Sequence, residues 1–369
     1  MRDGQRVAIV LLSAIGDIVH AFPLLSSLKA RYPNSRFEWI AHPVPGEVAR
    51  RHPAVDRVWP LRRGPKGRAF LDLRRELVRE RFDLVIDLQM YLKASLVTLL
   101  IDSPRKIGFD RSRARELNWL VTREKVPARS LQQIGEEYLE FADYLDAPRK
   151  YEWPFLFSEA ERADSRLFRE RLEAPMAAFV TGTSRREKEW DPRRWATLAD
   201  ALHEEWGYGV CLVGGRSANE DDLARRTIES ATSPVADLRA DDIGRLAWLL
   251  GSAALVVGCD TGPLHLGMSF GAPSIGLFGA TDPARYGPRH ESLDLVVDAF
   301  HDPGEPWHPA ERRRRPGRMD RIQVLDVLAK VELARSRHRR ARGEGERVQA
   351  TDPTGRALPE GEIRGRRGQ

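Results

Sequence analysis

Asp17 stands where a carboxylate can work as a base. It lies in Leu12-Ser13-Ala14-Ile15-Gly16-Asp17-Ile18-Val19-His20, a turn that follows the apolar run Val7–Leu12 and opens a helical pattern. A carboxylate in a first helical turn complements the helix dipole, which stabilises the helix by about 0.3–1 kcal/mol. A position just past the carboxyl end of a strand also faces a ligand cleft, within reach of a substrate hydroxyl. A second constellation is Gly258-Cys259-Asp260-Thr261-Gly262-Pro263-Leu264-His265. A strand ends there, a glycine turn follows and proline opens a helix, so backbone N–H groups can receive a phosphate or diphosphate. Asp260, Thr261, Gly262 and His265 are the candidate residues around that anion. The single Asp-Thr-Gly triplet sits inside an α/β pattern, which excludes the paired-carboxylate chemistry of aspartic proteases.

Two more loops follow strand-like runs. Gly182-Thr183-Ser184-Arg185-Arg186-Glu187-Lys188-Glu189-Trp190 offers hydroxyls at Thr183 and Ser184 and a cation at Lys188. Such groups suit a diphosphate and the charge that develops as it leaves. Gly214-Gly215-Arg216-Ser217-Ala218-Asn219-Glu220 places Glu220 where an acidic residue can accept from a ribose, although Asn219 and Glu220 are also ordinary helix-start residues. Neither the three-glycine dinucleotide fingerprint nor a phosphate loop with its lysine is present, which disfavours a nicotinamide oxidoreductase. Cys211 and Cys259 lie in apolar runs and support neither a disulfide framework nor a zinc site.

Short apolar runs alternating with helical-period segments must position these loops, and that alternation predicts parallel sheets covered by helices. In the first half the strand-like runs are Val7–Leu12, Phe37–Ala41, Val55–Leu61, Leu84–Leu88 and Lys106–Phe109. Helical patterns cover Ile18–Ala30, Phe70–Arg81, Tyr91–Ile101 and Gln132–Leu145. Prolines break the pattern over 151–175, which therefore connects a unit at 1–150 to a second at 176–335. In the second unit Ala177–Thr181, Val210–Val213, Leu255–Gly258 and Pro273–Phe278 read as strands, and Ile322–Arg335 as the last helix. With two open sheets, the cleft between them is the natural site.

The formal charge is +6 over 369 residues, but Arg335–Gln369 alone holds ten arginines and five acidic residues. The body is left at +1, so nucleic-acid binding by it does not follow. Residues 336–369 are too poor in apolar side chains to bury a core and are expected to be disordered. Inside the body, Arg57–Arg81 has nine basic and three acidic residues, and Pro104–Arg115 five and one. Such runs are usually a solvated face, and otherwise the wall of a cleft for an anionic substrate. No apolar window of membrane-spanning length occurs, and Val7–Leu12 is too short for a signal-peptide core, so a cytoplasmic location is expected.

The ordered set of Gly16-Asp17-Ile18-Val19-His20, Lys188-x-Trp190 with Trp195, Asp260-Thr261-Gly262 with His265, and Phe278-Gly279-x-Thr281-Asp282-Pro283 resembles the lipopolysaccharide heptosyltransferase family, glycosyltransferase family 9. The resemblance runs from Val7 to about Arg335. It implies an α/β fold of B-type glycosyltransferase architecture, two Rossmann-like domains facing a central cleft. It implies inverting heptose transfer from an ADP-activated donor to the lipopolysaccharide inner core, with no metal or other cofactor. Asp17 then matches the general base. Thr183 and Lys188 match diphosphate-contacting positions, Lys188 serving the leaving group, with Ser184 beside them. Thr261, Gly262 and His265 match the diphosphate turn, and Glu220 the ribose position. Arg62, Arg63, Lys93 and Arg115 fall on the acceptor side, so the charge runs become a wall for an anionic, lipid-linked saccharide at the inner face of the membrane. The sequence departs from the family near Gln133, in a helix where relatives often carry histidine, and at Trp307-His308-Pro309 with Arg312–Arg315, where many carry cysteines. Transfer of another nucleotide-activated sugar, or nucleotide binding without catalysis, are the alternatives.

Overall fold

Runs of Val, Ile, Leu and Ala that are buried on both faces pair best in parallel, with helices above and below. The computed structural model describes residues 1–62, 64 and 67–348, and these residues form two such sheets of six strands each. The first contains β1 (Arg6–Val10), β2 (Arg36–Ala41), β3 (Val55–Pro60), β4 (Leu84–Asp87), β5 (Arg105–Gly108) and β6 (Glu124–Lys125). Its spatial order is β3-β2-β1-β4-β5-β6, all parallel. The second contains β7 (Met176–Val180), β8 (Gly209–Leu212), β9 (Val235–Asp237), β10 (Leu255–Cys259), β11 (Ser274–Phe278) and β12 (Val296–Asp298). Its order, β12-β11-β10-β7-β8-β9, is the same doubly wound arrangement. The order reverses between β1 and β4 in one sheet and between β7 and β10 in the other, and ligands bind beyond the strand ends at such points.

Helices α1 (Ile15–Arg31), α2 (Pro43–Arg50), α3 (Arg68–Leu77), α4 (Leu92–Leu100) and α5 (Ile134–Tyr144) accompany the first sheet. The connecting segment carries α6 (Glu159–Glu170), whose Ser158 cap and Glu161 form a capping box. Then come α7 (Pro192–Trp206), α8 (Ala218–Ser230), α9 (Ile243–Ser252), α10 (Gly262–Ser269), α11 (Pro283–Tyr286) and α12 (Val324–Val348). One apolar cluster is continuous from α1 and α5 of the first unit to α9 and α10 of the second. The strands that face the site are thus packed as one body of structure. Trp190 and Trp195 pack as expected, edge to face at 5.0 Å, with Trp190 Nε1 donating to Ile322 O. Cys211 and Cys259 are buried free thiols.

One boundary differs from expectation. The last helix does not stop at Arg335 but continues to Val348, inside the segment expected to be disordered. Its alanines, arginines and glutamates are good helix formers, and no proline occurs between Pro316 and Pro353, so helix propagates once packed residues nucleate it. Residues 349–369 lie outside the described residues.

At the end of β4 the fold buries a carboxylate. Asp87 is fully enclosed and accepts from Thr98 Oγ1 at 2.8 Å and Asn118 Nδ2 at 3.1 Å. Burial pushes its pKa up to about 7, against these donors. The folded value lies above the unfolded value of about 4, so folded protein holds the extra proton between them. Stability from this site is therefore lost as pH rises from about 4 to about 7, at roughly 1.4 kcal/mol per pH unit. Asp87→Asn keeps an acceptor for Thr98 and cannot ionise. Its melting temperature should gain on wild type across that window and run parallel above it. Parallel melting curves from pH 4 upward would contradict this assignment.

Candidate active site

Asp17 is the third residue of α1, and its Oδ2 accepts from the Ala14 N–H at 2.8 Å. It therefore does cap the helix, as an ordinary residue there would. Yet burial raises its pKa, opposed by the Ala14 N–H, His265 and Arg285, and a raised carboxylate is a better proton acceptor near neutrality. The preceding turn is held by Gln89, just past β4. Gln89 Oε1 accepts from Leu12 N at 2.7 Å, and its Nε2 donates to Ser13 O at 3.0 Å. A residue from across the switch point thus fixes the loop carrying Asp17. Nothing in the local pattern marks Gln89 for this task.

In the second unit the hub is Asp260. Lys188 Nζ donates to its Oδ2 at 2.6 Å and to its main-chain O at 3.0 Å. Thr281 Oγ1 donates to Oδ2 at 2.6 Å, and His265 Nε2 meets Oδ1 at 2.9 Å. Burial works against ionisation of Asp260, but Lys188 and His265 outweigh it and hold the carboxyl below its usual range. Through these contacts Asp260 positions the lysine and the imidazole. Thr183 Oγ1 donates to Arg185 O at 2.7 Å and shapes its loop, while Ser184 is exposed. Glu220 is engaged within its own loop. Its carboxylate accepts from Ser217 N at 3.0 Å, Ser217 Oγ at 2.6 Å and Gly215 N at 3.2 Å, completing the capping box of α8. In this structure the helix start claims it.

The two halves meet through bare backbone. A Cβ on Gly16 would lie 2.7 Å from His265 Cδ2, and one on Gly262 would lie 2.5 Å from Ile15 Cβ. Glycine at both positions lets the N-termini of α1 and α10 converge, directing two positive helix ends at one place. The His20 ring packs 4.5 Å from that of His265. Gln133 Nε2 lies 3.3 Å from His20 Nδ1 and also donates to Gly287 O at 3.1 Å, bridging the units. With Nδ1 accepting, Nε2 of His20 carries the proton. Burial and then His265 lower the His20 pKa well below its usual value, so the ring stays neutral. His20 Nε2, Thr261 Oγ1 and His265 Nδ1 are buried without a hydrogen-bond partner among the described residues. Leaving such an atom unpartnered costs about 1–3 kcal/mol.

Behind this junction, Glu137 on α5 grips Arg285 on α11 through two hydrogen bonds of 2.6 and 2.9 Å, both side chains being fully buried. Burial disfavours the Arg285 charge, but Glu137 outweighs it and holds the guanidinium above its usual range. The pair links residues far apart in sequence, and no pattern announced it.

The acceptor side is only partly as expected. Arg62 is exposed and pairs with Glu76 at 3.0 Å, and Arg63 lies outside the described residues. Lys93 Nζ is 2.8 Å from His42 Nε2, whose Nδ1 is 2.7 Å from Leu61 O. Arg115 is exposed, its guanidinium 5.9 Å from the Tyr91 ring. Arg62, Lys93 and Arg115 follow the carboxyl ends of β3, β4 and β5, the same sheet edge as Asp17. The basic run Pro104–Arg115, however, is mostly consumed by the fold. Arg113 is buried between Asp110 and Glu140, Arg105 pairs with Glu124, and Lys106 donates to Thr98 O. Of its five cations, Arg111 and Arg115 remain for a wall. Arg312 reaches the first unit at Arg113 O, while Arg315 pairs with Glu305.

Two doubly wound sheets meet at their switch points, one bearing a capped carboxylate and the other a lysine–imidazole turn at a helix start. This is the two-domain, B-type class of glycosyltransferases. A family model described as glycosyltransferase family 9 (heptosyltransferase) matches residues 70–303, and the chain belongs to that family. It is 30% identical over 298 residues to lipopolysaccharide heptosyltransferase 1 of Pseudomonas aeruginosa, covering 76% of this chain and 80% of that one. It is 24% identical over 342 residues to the lipopolysaccharide core heptosyltransferase OpsX of Haemophilus influenzae, covering 89% and 96%. Among solved structures it is similar to E. coli heptosyltransferase WaaC with ADP-2-deoxy-2-fluoro heptose, with a TM-score of 0.67, 26% identity and coverage of 89% and 99%. The chain is thus an enzyme, a glycosyltransferase of lipopolysaccharide biosynthesis. Among the described residues no helix is long and apolar enough to cross a membrane.

Proposed function

We propose that the enzyme moves heptose from ADP-heptose to a lipopolysaccharide inner-core acceptor, with inversion and without a metal ion. The observation that carries the proposal is the placement of Asp17 opposite the Lys188–Asp260–His265 cluster, each at a switch point. Asp17 takes the proton of the acceptor hydroxyl as that oxygen attacks the anomeric carbon. The carbon–diphosphate bond breaks on the opposite face, and ADP departs with the electron pair. Lys188, His265 and the N–H groups opening α10 at Thr261 and Gly262 receive the growing charge, which is usually the largest catalytic term. Asp260 holds Lys188 and His265 in place. Thr183, Ser184 and Glu220 lie in the loops that would flank the nucleotide. Residues 176–335 then form the donor unit and 1–150 the acceptor unit. Arg62, Lys93 and Arg115 serve an anionic, lipid-linked saccharide, and the enzyme works at the cytoplasmic face of the inner membrane.

Lys188 and the α10 terminus supply the positive charge for which some transferases use a cation. ADP should therefore stabilise the protein in the presence of EDTA. At a hundredfold excess over Kd the gain is about 2.7 kcal/mol, a rise of several degrees in melting temperature. A shift that requires magnesium, or that UDP and GDP produce equally, would contradict the donor assignment.

A further inference from the structure

Helices α3 and α4 cover one face of the first sheet. Their inner residues, Leu73 and Leu77 on α3 with Ala94 and Val97 on α4, pack on Ala8, Val10 and Val85. Their outer faces should be polar, and they are not. On α4, Leu92, Leu96 and Leu99 are 48%, 45% and 59% exposed. Their i, i+4, i+7 spacing makes one continuous stripe. No charged residue occurs from Ala94 to Ile101. On α3, Leu71 is exposed, with Val78 just past its end, and the exposed Arg74 and Arg75 lie between them. The turn at Asn118–Leu120 is tied to α4 by Asn118 Nδ2 on Ser95 Oγ at 3.0 Å, and it adds exposed Leu117 and Leu120.

The charge around this patch selects its occupant. The described residues between Arg57 and Arg81 include seven basic and three acidic side chains, and no acid occurs from Leu88 to Ile101. A second copy would bring the same arginines against themselves. An anionic bilayer meets both demands, because arginines settle among headgroups while leucines enter the acyl boundary. Placement agrees. α4 starts at the carboxyl edge of β4, the edge that carries Asp17, so the stripe runs outward from the mouth of the cleft.

We propose that the outer faces of α3 and α4, with the adjoining Leu117–Leu120 turn, dock the enzyme on the surface of an anionic phospholipid bilayer. The proposal rests on the lipid-linked acceptor read above, whose anchor this face would hold beside the cleft. Its test uses vesicles without acceptor, so failure of docking and failure of the transfer reading are separable. The full-length protein should sediment with phosphatidylethanolamine–phosphatidylglycerol vesicles and stay in solution with phosphatidylcholine alone. Leu92→Ser/Leu96→Ser/Leu99→Ser should abolish sedimentation while keeping the wild-type melting temperature, ADP response and transfer to a soluble, deacylated acceptor. Arg74→Gln/Arg79→Gln, which spares every leucine, should lower partitioning by about 30-fold, near 5-fold per charge. Absence of wild-type sedimentation, equal sedimentation on neutral vesicles, or full retention by either variant would overturn the proposal. So would a wild-type dimer that the serine variant dissociates, since a second copy would then own the stripe.

Discussion

Asp17→Asn should lower single-turnover sugar transfer by about 10²–10⁴-fold while leaving ADP affinity nearly unchanged. That loss is the usual contribution of a positioned general base. The substitution suits the question because asparagine keeps an oxygen that can accept from the Ala14 N–H, so the helix cap survives. Any loss of rate then reports the missing proton acceptor and not an unravelled α1. The pH profile gives a second readout. A base is inactive when protonated, and burial raises the Asp17 pKa, so the acid limb of wild-type transfer should lie above the ordinary carboxylate range. The asparagine variant should lack that limb. Near-normal transfer by the folded variant would reduce Asp17 to a cap.

Arg285→Met should destabilise the protein by about 3–5 kcal/mol, because it strands Glu137 as a buried charge without its partner. Arg285→Met/Glu137→Met removes both charges and should recover most of that loss, since a buried pair often breaks even against apolar residues of similar volume. Urea unfolding of the single and double variants measures the difference. If the two variants are equally unstable, packing and not charge pairing explains Arg285. The double variant also bears on chemistry. Arg285 opposes the raised pKa of Asp17, so without it the acid limb of transfer should move to higher pH.

The strands that carry the site were legible because they are buried on both faces. β1, β4, β7, β10 and β11 are continuous apolar runs, and the loops after β1, β7 and β10 hold Asp17, Lys188 and His265. β6, β9 and β12 were missed, having two or three residues each at the outer parts of the sheets, too few for any period to appear. Residue types near the site could be read from the chain, but their partners could not. The sequence offers Asp260 beside a phosphate-binding turn, but its partners Lys188, Thr281 and His265 come from three separate positions of the chain. Arg113 counted toward a charged wall until its burial against Glu140 appeared. Gln89 and the Glu137–Arg285 pair depend on contacts between distant segments, for which a single sequence carries no local signal.

The most direct test of the account is a transfer assay on the purified protein with ADP-heptose and a deacylated inner-core acceptor, run in EDTA. ADP release and the anomeric configuration of the product are both followed. The account predicts one ADP released per heptose transferred, an inverted anomeric linkage, and no dependence on added magnesium. ADP release without glycan product, retention of configuration, or activity restored only by magnesium would contradict it.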